Sequence, residues 1–66
     1  MFVYIKNKII NIEGLTFAGV MKKEENFCVA LCFKDRQDMS IKCKDEECAK
    51  SGVLRIYTIL YHNGLI

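Results

Sequence analysis

The stretch Asn26-Phe27-Cys28-Val29-Ala30-Leu31-Cys32-Phe33 decides the fold. Coiled as a helix it would be apolar on every side, in a chain too small to surround it. Extended, it sorts into bulky residues (Phe27, Val29, Leu31, Phe33) alternating with small ones (Cys28, Ala30, Cys32). A continuous apolar run with both faces covered is the pattern of a central strand, and we read it as one. Residues four apart on a strand are separated by about 13 Å. Cys28 and Cys32 therefore cannot bridge to each other or share a metal ion, whose thiolate ligands sit about 2.3 Å from it.

Working outward, Lys23, Glu24, Glu25 and Asn26 form a polar turn before this strand. The segment ahead of the turn, LTFAGVMKK, also has period two. It places Leu15, Phe17 and Met21 on one face and Thr16, Ala18 and Val20 on the other. Its parity is shifted from that of Ile10 and Ile12, and a bulge or tight turn at Gly14 absorbs the shift. At the start of the chain, FVYI and IINIE flank KNK. A two-residue turn at Asn7 and Lys8 sets Ile5 opposite Ile10 and Val3 opposite Ile12, with Phe2, Tyr4, Asn11 and Glu13 on the far side. Downstream, KDRQD is a charged turn and MSIKCK alternates again, with Met39, Ile41 and Cys43 inward and Ser40, Lys42 and Lys44 outward.

From Asp45 the period changes. Glu47, Ser51, Arg55, Thr58 and His62 recur at intervals of three and four, while Ala49, Val53, Ile56, Tyr57 and Leu60 line the opposite side of the same helix. Asp45 suits the N-cap, Glu46 and Glu47 suit the positive end of the helix dipole, and Gly64 supplies a left-handed residue to end the helix. Gly52 costs about 1 kcal/mol relative to alanine and marks a kink. VLRIYTI has the β-branched content of a strand, but a strand there would bury apolar residues on both faces at the end of the chain.

The expected architecture is a single α+β domain over residues 1–66: an antiparallel meander sheet of four or five strands with one C-terminal helix packed on one face. Phe17, Met21, Phe27, Val29, Leu31, Phe33, Met39 and Ile41 make the helix-facing side. Thr16, Ala18, Val20, Cys28, Ala30 and Cys32, flanked by lysines, make the other.

Composition bounds the function. At 66 residues the domain is marginal by itself, and 52% hydrophobic content is high for so small an interior. Apolar side chains are left at the surface, which points to a homo-oligomer or a protein partner. Ten basic and eight acidic residues, interspersed to a net charge of +2, form no block that would draw a nucleic acid or an acidic membrane. No window approaches the roughly 18 apolar residues of a membrane span, and MFVYIKNK does not look like a secretory leader. A cytoplasmic chain with free thiols is expected.

Chemistry-bearing motifs are sparse. The spacings CVALC and CKDEEC do not match the two-residue knuckles of structural zinc sites, although Cys43 and Cys48, at a strand end and in the first helical turn, can approach each other. His62 sits on the polar stripe, far along the helix from any cysteine, as a solvated helix-end residue. Glu24–Glu25 and Asp35–Asp38 fall in turns, and no phosphate loop or nucleophile elbow is present. No enzyme activity and no cofactor are expected. Tyr57 and Tyr61 are placed to pack on the sheet rim.

The primary reading is a self-associating interaction module that uses the small-residue face (Thr16, Ala18, Val20, Cys28, Ala30, Cys32) or an open strand edge. The alternative is single-stranded nucleic-acid binding by a lysine-rimmed face, with Lys6, Lys22, Lys42 and Lys44 around Phe2 and Tyr4.

Overall fold

In the computed structural model, which describes residues Met1–Ile66, the stretch Asn26–Phe33 is extended and forms the middle strand of a three-stranded antiparallel sheet. In chain order the elements are β1 (Phe2–Ile5), β2 (Lys8–Asn11), β3 (Leu15–Lys23), β4 (Asn26–Phe33), β5 (Met39–Cys43) and the helix α1 (Glu46–His62). The α+β class holds, but the expected single meander is split. β1 and β2 form a separate hairpin, and the larger sheet runs β3-β4-β5.

The split occurs at Gly14, whose φ of 81° is a left-handed turn conformation. The Leu15 N–H donates to the Ile12 carbonyl at 3.2 Å, so the chain doubles back there instead of running alongside β2. The hairpin buries Val3, Ile5, Ile10 and Ile12, the four branched residues that the sequence groups together. Its turn lies one residue earlier than expected, at Lys6 and Asn7, both at positive φ (49° and 65°), the requirement of a primed hairpin turn. Val3 therefore pairs with Ile10 and Ile5 with Lys8. The shift moves the pairing by two residues, so the inward set is unchanged.

The hairpin and α1 pack on the same side of the larger sheet. Val3, Ile5, Ile10 and Ile12 share one core with Val29, Leu31, Phe33, Ile41 and Cys43 of the sheet and with Ala49 and Ile56 of the helix. Val29 and Leu31 are fully buried at the centre of this layer. The Arg55 Nη1 donates to the Tyr4 carbonyl at 2.8 Å, tying the helix to β1. Arg36 donates to the Asn11 carbonyl and lies 3.9 Å from the centre of the Phe33 ring, tying the β4–β5 connection to β2.

Both ends of α1 are set by local chemistry. The Asp45 carboxylate accepts from the Cys48 N–H at 2.8 Å as N-cap. At the other end Leu65 N–H donates to the Leu60 carbonyl (3.0 Å) and Gly64 N–H to that of Tyr61 (3.1 Å), with Gly64 at φ 72°. This pair of bonds is a Schellman termination. Tyr57, expected on the buried side, is exposed, as is Tyr61. The two rings stack on each other 6.1 Å apart, and Tyr57 lines the edge of a groove between α1 and β3.

Gly52 is the point of closest approach. A Cβ there would lie 3.0 Å from Val29 Cγ2 and 3.4 Å from Ile5 Cγ2, so the glycine lets α1 settle against β4 and β1 together and is no hinge. In an exposed helix, Gly52→Ala would stabilise by about 1 kcal/mol. Here the added methyl presses on Val29 and Ile5, both buried in the core, and overpacking costs about 1–3 kcal/mol. Gly52→Ala is expected to destabilise by about 1 kcal/mol net, and Gly52→Leu to prevent folding. Urea midpoints measured by far-UV circular dichroism check both; a more stable Gly52→Ala protein would refute the close packing.

Candidate functional site

With the hairpin and the helix on one side of the larger sheet, no element covers its other side. The residues on that open face follow from the register. Phe17 pairs with Cys32, Gly19 with Ala30, and Met21 with Cys28; Ala30 in turn pairs with Ser40, and Cys28 with Lys42. Cys28, Ala30 and Cys32 thus face outward as expected. Ala18 and Val20 do not, because they pair with Leu31 and Val29 and lie on the helix side. Phe17 and Met21, expected beneath the helix, take their place on the open face.

The reversal has a local cause. The β3–β4 register slips between Leu15 and Phe17, so Thr16 is the extra residue of a bulge and everything after it changes face. The Thr16 hydroxyl donates to the Cys32 carbonyl at 3.2 Å across the slip. Leu15 and Ala18 both pack against the core, one on each side of the bulge. Met39 keeps its helix-side parity but is exposed at the end of β5.

The open face is apolar toward β3 and polar toward β5. Phe17 is 56% exposed and Met21 48%, whereas Cys28 and Ala30 are nearly closed off by their larger neighbours. The Phe17 ring lies over Gly19, where a Cβ would come within 2.9 Å of its Cζ. An isolated glycine inside a strand signals close approach of another group, and this one could have flagged the outward ring beside it. Next to this face, an apolar groove of about 710 Å³ runs between β3 and α1, with Ala18, Val53, Ile56 and Leu60 in its lining. Phe17 belongs to both surfaces.

The lysines do not rim one face. Lys42 is on the open side, opposite Cys28, while Lys22 pairs with Phe27 on the helix side and stands 5.7 Å from the centre of its ring. Lys6 is in the hairpin turn and Lys44 in the connection to α1. Tyr4 is on the outer side of the hairpin, its hydroxyl donating to Asn7 Oδ1 at 2.9 Å, and Phe2 is exposed on the same strand. The proposed nucleic-acid contacts Lys6, Lys22, Lys42, Lys44 and Tyr4 are therefore distributed over two sheets and both sides of the larger one.

All four cysteines are free thiols. No three His, Cys, Asp or Glu side chains gather where a metal ion could be held. Partial burial raises the pKa of Cys32 above the ordinary thiol value, and Asp38 adds to the effect by charge and by hydrogen bonding. Burial likewise pushes Cys43 up, reinforced by the adjoining Cys48 thiol and opposed by Lys6. No helix is long and apolar enough to cross a membrane. No family model matches the chain, and neither does any curated protein or solved structure.

The raised Cys43 thiol has a consequence for stability. As pH rises past the ordinary thiol value of 9.0, the unfolded chain releases this proton while the folded chain retains it. The folded state then binds more protons than the unfolded state, so stability falls with rising pH. Urea midpoints are expected to drop between about pH 8 and about pH 10, and less steeply in Cys43→Ala. Parallel pH profiles for the two proteins would contradict the assignment.

Proposed function

We propose that the chain is a non-enzymatic assembly module that pairs with a second copy of itself along β3, joining two three-stranded sheets into one. The observation that carries this reading is the edge itself. β3 is the longest strand, at nine residues, it hydrogen-bonds to β4 alone, and from Leu15 to Met21 it has neither charge nor proline. Natural proteins usually blunt an edge of that kind with charge, a short strand or a covering element.

The strand is also complementary to itself. In an antiparallel pair with its two-fold axis at Gly19, Phe17 of each copy stands opposite Met21 of the other on the open face. Ala18 stands opposite Val20 on the helix side. The two glycines meet at the axis, each beneath its own Phe17 ring. Lys22 and Lys23 fall outside the central five residues, so no like charges are forced together. The groove beside β3 gains a wall from the second copy, which brings its apolar lining into the same interface.

Sedimentation equilibrium over a range of concentrations tests the proposal. The native chain is expected to shift from one to two copies as concentration rises. Phe17→Glu, at an exposed position, should keep the far-UV spectrum and raise the dissociation constant more than about tenfold. Lys8→Glu, on the hairpin, should leave it unchanged. A native chain that stays single at the highest concentration would refute the reading, as would a Phe17→Glu protein that still pairs.

A further inference from the structure

The sheet separates the four cysteines into two pairs. Cys28 and Cys32 are on the open side, about 13 Å apart along one strand. Cys43 lies in the core on the helix side, and Cys48 packs against that same core from the first turn of α1. Across the sheet no bridge can form, because the β4–β5 register sets Cys28 opposite Lys42 and Cys43 opposite Phe27, with side chains on opposite faces. On the helix side only Lys44 and Asp45 separate the end of β5 from the helix, and the Asp45 cap fixes the Cys48 backbone at its start. Of all the pairings among these thiols, only Cys43 with Cys48 brings two sulfurs together on one side of the sheet, where the Cys48 side chain is within hydrogen-bonding reach of Cys43.

We infer that Cys43 and Cys48 are a dithiol that closes to an intramolecular disulfide by exchange with a low-molecular-weight disulfide such as oxidised glutathione. The two residues divide the work by exposure. Cys43 is 1% exposed, whereas Cys48 is half-buried and open to solvent on one side. Cys48 loses its proton and its sulfur attacks one sulfur of the glutathione disulfide. That S–S bond breaks, a mixed disulfide forms at Cys48, and one glutathione thiolate leaves and takes up a proton. Cys43 then loses its proton and attacks the Cys48 sulfur from within the core. The mixed disulfide breaks, the protein S–S bond forms, and the second glutathione leaves. Two protein thiols are oxidised and one disulfide is reduced to two thiols, with no other reactant. The raised pKa of Cys43 fits the role of the second, internal nucleophile, which is protected until a neighbouring sulfur is activated.

The product staples the end of β5 to the start of α1 on the helix side of the sheet, whereas Phe17 and Met21 lie on the open side. Oxidation and pairing along β3 are therefore separately measurable, and failure of one does not imply failure of the other. Intact-mass measurement after incubation of the native, folded chain with excess oxidised glutathione should show loss of two hydrogens. Trypsin, which cuts after Lys42, Lys44 and Lys50, should then release the segments 43–44 and 45–50 still joined. Cys43→Ala should stop at the mixed disulfide and retain one glutathione at Cys48, and Cys48→Ser should gain neither the link nor that adduct. Far-UV spectra establish that each variant is folded. A native chain that accumulates glutathione at Cys48 without closing, or that links through Cys28 or Cys32, would overturn the inference. So would a chain whose Cys43 and Cys48 both stay reduced.

Discussion

The contact of Gly52 with Val29 and Ile5 sets the distances in the rest of the molecule. At that point a helix, a hairpin strand and the central strand of the larger sheet meet so closely that one more methyl group would lie 3.0 Å from Val29 and 3.4 Å from Ile5. Along α1 the buried stripe runs Ala49, Gly52, Ile56: two small residues where the helix comes down on the sheet and one large residue where the surfaces diverge. A chain of 66 residues encloses little interior volume, and many of its bulky apolar side chains stay exposed. It reaches a dry centre at Val29 and Leu31 by bringing backbones close together, where a larger domain would fill the space with side chains.

Both covering elements lie on one side of the larger sheet, and the composition of the other side follows from that. With no element above it, the open face must be closed by its own residues. The central strand contributes Cys28, Ala30 and Cys32, too short to project far into solvent. The neighbouring edge strand contributes Phe17 and Met21, which stand beside Cys32 and Cys28 on the same face, with the Phe17 ring over Gly19. Cys28 and Ala30 thus become 7% and 6% exposed without a partner layer. The apolar cost of this arrangement falls on β3, whose bulky residues stay wet.

Much of the fold is legible in the residues. The large–small alternation of Phe27 to Phe33 gives the central strand. Asp45 and Gly64 mark the helix ends by capping chemistry, and the branched residues of the hairpin declare a common side. The face of β3 is not legible in the same way. Leu15, Phe17 and Met21 form as good an apolar row as Leu15, Ala18 and Val20, and the choice rests on one extra residue at Thr16 that leaves no mark in a period-two pattern. Three of the six residues placed on the open face therefore had to be reassigned, Thr16 to the bulge and Ala18 and Val20 to the helix side. The separation of hairpin from sheet was hidden for a related reason. Gly14 permits a bulge within a continuous sheet and also a turn out of it, and the decision lies in the long-range need of Val3, Ile5, Ile10 and Ile12 for a cover that the helix alone is too narrow to provide.

Edge chemistry also limits how far pairing of the kind proposed here can extend. A two-fold pair formed along β3 consumes both long apolar edges and leaves a β5 at each end of the joined sheet. β5 has five residues, alternates buried positions with Ser40 and Lys42, and is followed by a lysine and by the acidic start of α1. An edge that is short and carries a charged side chain is a poor template for a further strand. Because the contact is isologous, the same surface serves both copies and none of it remains for a third. Lys22 and Lys23 have a similar effect along the strand: the axis at Gly19 already pairs all nine residues, and a slip toward the C-terminal end would shorten the pairing and bring the lysines toward the like charges of the second copy. Together these constraints direct the exposed apolar strand toward a closed pair and away from an open fibre.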